Sequence, residues 1–153
     1  VNSEFTIAVH SLVLLAHLSD HMATSEEIAK NVSTHSARIR KVMGCLRKAG
    51  YVKTKEGIGG GFLLNGDPNQ ITLAEIFRLT SKGSLKPNWC SGDPNKPCMV
   101  SSNMEIVMDQ LFGEAERHME TYFEKQTIGG LLEKIKQSEV ACKAAAEHAE
   151  RIK

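Results

Sequence analysis

The sequence predicts a mainly α fold with a small β-wing, and three observations carry that prediction. Apolar residues recur at steps of three and four along residues 5–18, 35–48, 72–79 and 102–124, the period of a helix with one buried face. Residues 51–64 break that rhythm: two short apolar runs flank a glycine-rich tip, Glu56-Gly57-Ile58-Gly59-Gly60-Gly61, as in a hairpin. Helix-start signals recur as Thr24 with Glu27, Thr72 with Glu75, and Ser102 with Glu105.

In chain order, Phe5, Ala8, Val9, Leu12, Leu15 and Ala16 give the first helix an apolar face suited to bracing a helix-turn-helix. His10 and His17 share that helix two turns apart. A metal pair on one helix stands at i, i+4 or closer, so these read as ordinary side chains. Thr24 caps a short second helix that Asn31-Val32-Ser33 ends. Ser33 or Thr34 is then the expected cap of a third, in which Ile39, Val42, Met43 and Leu46 form one stripe. Gly50 is placed to end it in a left-handed turn. Gly44 in mid-helix costs about 1 kcal/mol against alanine, and close approach of a neighbouring helix is the expected reason. Residues 51–55 and 62–64 then form the two strands. The glycine run is not a phosphate loop, because no Gly-Lys-Ser/Thr and no helix come after it.

Charge gives the second and third helices a use. Between His35 and Lys55 stand seven basic residues and no acidic one. Such a local excess suits phosphate neutralisation, although a solvated helix face can carry the same charge. Joined to the helix-turn-helix spacing and the hairpin, it favours binding to double-stranded DNA through a winged helix-turn-helix. Thr34, His35, Ser36, Arg38, Arg40 and Lys41 are the candidate residues of the reading helix, with Lys53, Lys55, Gly59 and Gly60 on the wing. The alternative is a winged-helix interaction module whose basic face meets an acidic protein.

The stretch LRKAGYVKTKEGIGGGFLL closely resembles the signature of the Rrf-two family of bacterial winged-helix regulators, in which LRKAGLV leads into a glycine-rich wing. The resemblance continues through ITLAEIFRLTSKGSL, the Cys90 to Cys98 loop and the helix beyond, covering residues 3–135. It implies a homodimeric transcription factor, usually a repressor, often tuned by iron–sulfur, redox or small-molecule signals. One departure is Glu56, where the family wing often carries arginine. An acid beside phosphates is unfavourable, which shifts the expected wing contact to Lys53 and Lys55.

After the wing, Asp67-Pro68-Asn69 turns the chain and Thr72 opens a helix, with Ile71 and Ile76 placed as a hydrophobic staple. Residues 82–97 have no period and read as a long loop. From Ser102 to about Glu124, Met104, Met108, Leu111, Phe112, Ala115, Met119, Tyr122 and Phe123 make a stripe too apolar to stand exposed. A core within the chain would cover it; the resemblance implies pairing with a twofold mate. A dimer suits an inverted-repeat operator. Thr127-Ile128-Gly129-Gly130 reads as an interruption, Leu131, Leu132 and Ile135 as a short helix, and the rest as a helical tail. The expected organisation is a winged helix-turn-helix domain (1–81), a cysteine-containing loop (82–100), a dimerisation helix with a short helix (101–136) and a helical tail (137–153).

Cys90 and Cys98 lie in the loop WCSGDPNKPCMV. Cluster-binding members of the resembled family carry three cysteines here, and this chain offers Met104 in place of the third. Two thiolates give a poor [2Fe–2S] site, which only sharing across a dimer would complete, and no CxxC or nearby histidine completes a zinc site, so no cofactor or metal is expected. Redox sensing through Cys90 and Cys98, with Lys96 favouring the thiolate, stands beside a small-molecule pocket and inert cysteines as open readings.

The totals bound the rest. Nineteen basic against eighteen acidic residues leave a net charge of +1, so the signal is the distribution of charge rather than its sum. No apolar run spans a bilayer and no signal peptide pattern opens the chain, which makes a cytoplasmic, membrane-free protein the expectation. Four irregularly spaced cysteines do not form a secreted disulfide framework. No nucleophile, base and orienter assemble from the motifs, so an enzyme is not expected.

Overall fold

In the computed structural model, which describes residues 2–152, the order is α1 (Ser3–His17), β1 (Met22–Ala23), α2 (Ser25–Val32), α3 (Ser36–Lys48), β2 (Val52–Lys55), β3 (Gly61–Leu64), α4 (Leu73–Thr80), α5 (Met99–Phe123) and α6 (Ile128–Ile152). The mainly α fold with a β-wing is what the periodicity predicts. Both capping boxes form as their sequences require. The Thr24 side chain accepts from the Glu27 N–H at 3.1 Å while Glu27 accepts the Thr24 N–H at 2.9 Å, and Thr72 and Glu75 repeat the arrangement.

The core is a single cluster around α1. Leu12, Leu15, Ile28, Ile39, Met43, Leu46, Ile76 and Phe77 are fully buried in it, and Ile128 of α6 joins them. Phe5, Phe77 and Phe123 close its far end, with ring centroids 5.4–6.0 Å apart. This cluster welds α1 and α4 to the C-terminal end of α5. Arg78 reinforces the join, donating to Glu120 and Glu124 at 2.8 Å each.

Four expectations need correction. The sheet has three strands in the order β1-β3-β2, because Met22 and Ala23 pair with Leu63 and Phe62 beside the expected hairpin. Neither Ser33 nor Thr34 caps α3. Ser33 ends α2 in the left-handed region (φ 65°), and His35 holds the α3 cap position without a side-chain bond. α5 starts at Met99 with Cys98 in the cap position, three residues ahead of Ser102, whose hydroxyl donates to the Met99 carbonyl instead.

The fourth correction is that residues 128–152 form one continuous helix, not a short helix and a separate tail. Gly129 and Gly130 lie in its first turn, where Thr127 Oγ1 accepts the Gly130 N–H at 3.0 Å. A Cβ on Gly129 would run into the Asn69 side chain, so this glycine permits close approach and does not break the helix.

Candidate nucleic-acid interface

α3 is fixed from behind and open in front. Ile39, Val42, Met43 and Leu46 are buried, while Ala37, Arg38, Arg40, Lys41, Arg47 and Lys48 are exposed. Its C-terminus closes in a Schellman turn: the Tyr51 N–H reaches the Leu46 carbonyl and the Gly50 N–H the Arg47 carbonyl, both at 3.0 Å, with Gly50 at φ 90°. That turn delivers the chain directly into β2. The Gly44 expectation fails, since nothing lies within 4 Å of the position its Cβ would take. Gly44 leaves the helix bare on its outer side, next to Arg40 and Lys41.

The sequence-predicted residues divide by surroundings. Thr34 and Ser36 are half-buried, and His35 is exposed at the start of α3. Three cations at this end are tied to neighbouring helix starts. Arg38 donates to Ser3 Oγ, Lys41 pairs with Glu4 at 2.9 Å, and Arg40 Nη1 lies 3.3 Å from both Ser25 Oγ and Glu26 Oε1. The Glu26 carboxyl is held below the ordinary range by its own backbone N–H first, then by the Ser25 hydroxyl and the Arg40 charge. These ties cross 14 to 37 residues of sequence, and no local spacing signals them.

Lys53 and Lys55 are exposed on β2. The hairpin glycines are sterically required: a Cβ on Gly60 would strike the Lys55 and Gly57 carbonyls, and one on Gly61 would meet the backbone of Ala23. Gly59 turns at φ 76°. At the tip stands Ile58, the most exposed large apolar side chain among the described residues. Its only mark in the sequence is an isoleucine inside a run of glycines.

Cys90 and Cys98 are free thiols in different surroundings. Cys90 is half-buried beside a cavity of about 180 Å³ with Trp89, Met108 and Phe112, near the Lys86–Asp109 ion pair. Cys98 is exposed at the start of α5. The backbone N–H groups of Ser101 and then Val100 hold its thiol below the usual range, so the cause is the helix start and not the expected Lys96. A separate apolar groove of about 770 Å³ runs between α1 and α6, lined by Val9, Val13, Leu131 and Ile135 among others.

A sequence profile described as Rrf2, iron-dependent transcriptional regulator, matches residues 1–134. The chain belongs to the Rrf2 family. YwnA of Bacillus subtilis, provisionally named an HTH-type transcriptional regulator, is 28% identical over 128 residues, spanning 84% of this chain and 93% of its own. The HTH-type transcriptional regulator NsrR of the same organism is 33% identical over 69 residues, 45% of this chain and 47% of its own. IscR of T. potens superposes with a TM-score of 0.67 at 22% identity, covering 90% of this chain and 89% of that one. Family and relatives are transcriptional regulators, not enzymes, and DNA binding comes with the family. No helix among the described residues is long and apolar enough to cross a membrane.

The iron in the Rrf2 description does not fit the donors present here. The loop offers two thiols, and only Cys90 lines the small cavity. Among the described residues, no three His, Cys, Asp or Glu side chains gather as a metal site. A Cβ on Gly92 would strike the Ser101 carbonyl and approach the Met104 side chain, so the loop lies close on the start of α5. A cluster normally takes four protein ligands, whereas the loop of one chain supplies two thiols and is tied to α5, with the Asp93 N–H on the Ser101 carbonyl at 3.0 Å.

Proposed function

We propose that this chain acts as a homodimeric repressor that reads an inverted-repeat operator in double-stranded DNA and represses by occupying it. The observation that carries the reading is the two-sidedness of α3, with four apolar residues locked into the core and an exposed basic face whose Arg38, Arg40 and Lys41 touch only the starts of α1 and α2. Thr34, His35, Ser36, Arg38, Arg40 and Lys41 are at the end that enters the major groove in this reading. Lys53 and Lys55 neutralise flanking phosphates, Gly59 and Gly60 give the wing its shape, and Ile58 meets the sugar edges of the minor groove.

The dimer rests on α5. None of its twenty-five residues is buried, and Val100, Ile106, Val107, Leu111 and Tyr122 are each more than half exposed. A helix so apolar and so uncovered needs a partner surface, and a second copy also supplies the second reading helix for the other half-site.

Selection of duplexes from a random pool, followed by fluorescence anisotropy across a salt series, tests this reading. A palindromic motif, with log affinity falling linearly with log salt, is the expected result. Equal affinity for selected and random duplexes, or binding only to an acidic protein, would contradict it.

Redox switching is supported as a second reading by the helix-start position of Cys98. Its thiolate attacks hydrogen peroxide, the departing hydroxide takes a proton to become water, and a sulfenic acid remains. The Cys90 thiol then condenses with it, releasing a second water and leaving a disulfide. Oxidation should weaken operator binding, and Cys90→Ser or Cys98→Ser should abolish that response. Binding that ignores peroxide would instead favour a small-molecule signal in the groove between α1 and α6.

A further inference from the structure

Arg40 has two side-chain partners, both at the start of α2, where Arg38 and Lys41 have one each. Its hydrogen bonds among the described residues leave through Nη1 alone, to Ser25 Oγ and Glu26 Oε1 at 3.3 Å each. Glu26 is itself anchored: the Ser25 hydroxyl donates to its other oxygen, Oε2, at 3.1 Å. Ser25 and Glu26 open α2, whose start Thr24 and Glu27 lock by reciprocal capping bonds. The guanidinium is therefore held at one corner by a fixed element, and its Nε–Nη2 edge stays open. Along α3, Ala37 precedes Arg40 by one turn and Gly44 comes one turn after it, with empty space where a Gly44 side chain would stand.

An open N–H edge on a planar guanidinium matches the O6 and N7 acceptors that guanine presents in the major groove, and the small neighbours leave room for a base pair to approach. A free surface arginine samples many rotamers, and docking it on one base costs that freedom. A carboxylate that already holds it in place lowers the cost. An exposed ion pair of this kind contributes little to folding, so its removal leaves the fold intact and isolates any effect on DNA reading.

We infer that Glu26 is a positioning residue for DNA reading: with Ser25 it holds Arg40 so that the open edge of the guanidinium reads one guanine in each operator half-site. This rests on the proposal that α3 enters the major groove. It differs from simple repulsion, in which Glu26 merely pushes phosphates away. Repulsion lowers affinity for every duplex alike, whereas positioning raises the affinity for the operator over random DNA.

The test uses the full chain and the operator it selects from a random pool, with affinities by anisotropy at fixed salt. Each guanine in a half-site is replaced in turn by 7-deazaguanine, which lacks the N7 acceptor. For the unmodified chain, one such replacement should weaken binding about tenfold. Glu26→Ala should lower the operator-to-random affinity ratio by about three- to tenfold and make that same replacement nearly silent, as should Arg40→Ala. Equal tightening on both duplexes by Glu26→Ala, with the 7-deazaguanine penalty intact, would overturn the assignment. If the unmodified chain bound no duplex at all, the DNA reading of α3 would fail first and this assignment with it.

Discussion

The large apolar side chains of α3 and α5 meet different fates: those of α3 are buried, while in α5 Met104, Met108, Phe112, Met119 and Phe123 are half-buried and Val100, Ile106 and Val107 stand exposed beside them. α3 has thirteen residues and buries four against its own chain; α5 has twenty-five and buries none. Only the C-terminal end of α5, where Phe123 stacks on Phe5, is packed onto the core. Its N-terminal half carries Val100, Ile106, Val107 and Leu111 into solvent. An apolar period says that a surface has to be covered; it does not say whether the cover is the same chain or another. In this chain α3 is completed within the fold, while α5 leaves Val100, Ile106, Val107 and Leu111 exposed.

Three substitutions sharpen that contrast, from the largest effect down. Phe77→Ala removes the ring between Phe5 and Phe123 from a fully buried site, and should cost about 3–5 kcal/mol in urea unfolding. Thr24→Ala breaks the capping box that sets α2 beneath α3, and should cost about 1 kcal/mol in the same measurement. Arg78→Ala severs the two partly exposed ion pairs that tie α4 to α5. Its effect on global stability should be below about 1 kcal/mol, read out mainly as faster amide exchange near Glu120 and Glu124.

The free end of α5 also sets the reactivity of Cys98. Because helix-start N–H groups stabilise the Cys98 thiolate, its pKa in the folded chain lies below that of the unfolded chain. The thiolate form grows as pH rises through that lowered value, so iodoacetamide should label Cys98 with a midpoint below the ordinary thiol value of about 8.5. Unfolding in urea should move the midpoint back up.

What could be read from the sequence depended on how local each rule is. Thr24 with Glu27, Thr72 with Glu75 and the Gly50 turn each act within a few residues, and each forms as expected. Met22 and Ala23 carry no strand signal because two residues show no alternation; their strand exists only by pairing with Leu63 and Phe62. Gly129 and Gly130 look like a break until the turn at Asn69 is seen pressing on the first of them. The wing and the exposed face of α3 were legible, since charge and helical period lie in the sequence itself. The ties of Lys41 to Glu4 and Arg40 to Glu26 were not, because only tertiary packing brings α1 and α2 to the start of α3.

The central claim is that a second copy covers α5, and sedimentation equilibrium tests it most directly when the chain is compared with its Leu111→Glu variant. The account predicts twice the chain's mass for the unmodified protein at micromolar concentration. For Leu111→Glu it predicts association weakened by about a hundredfold or more, with α-helical content retained. A monomer in both cases, or a dimer that the new carboxylate leaves intact, would contradict it.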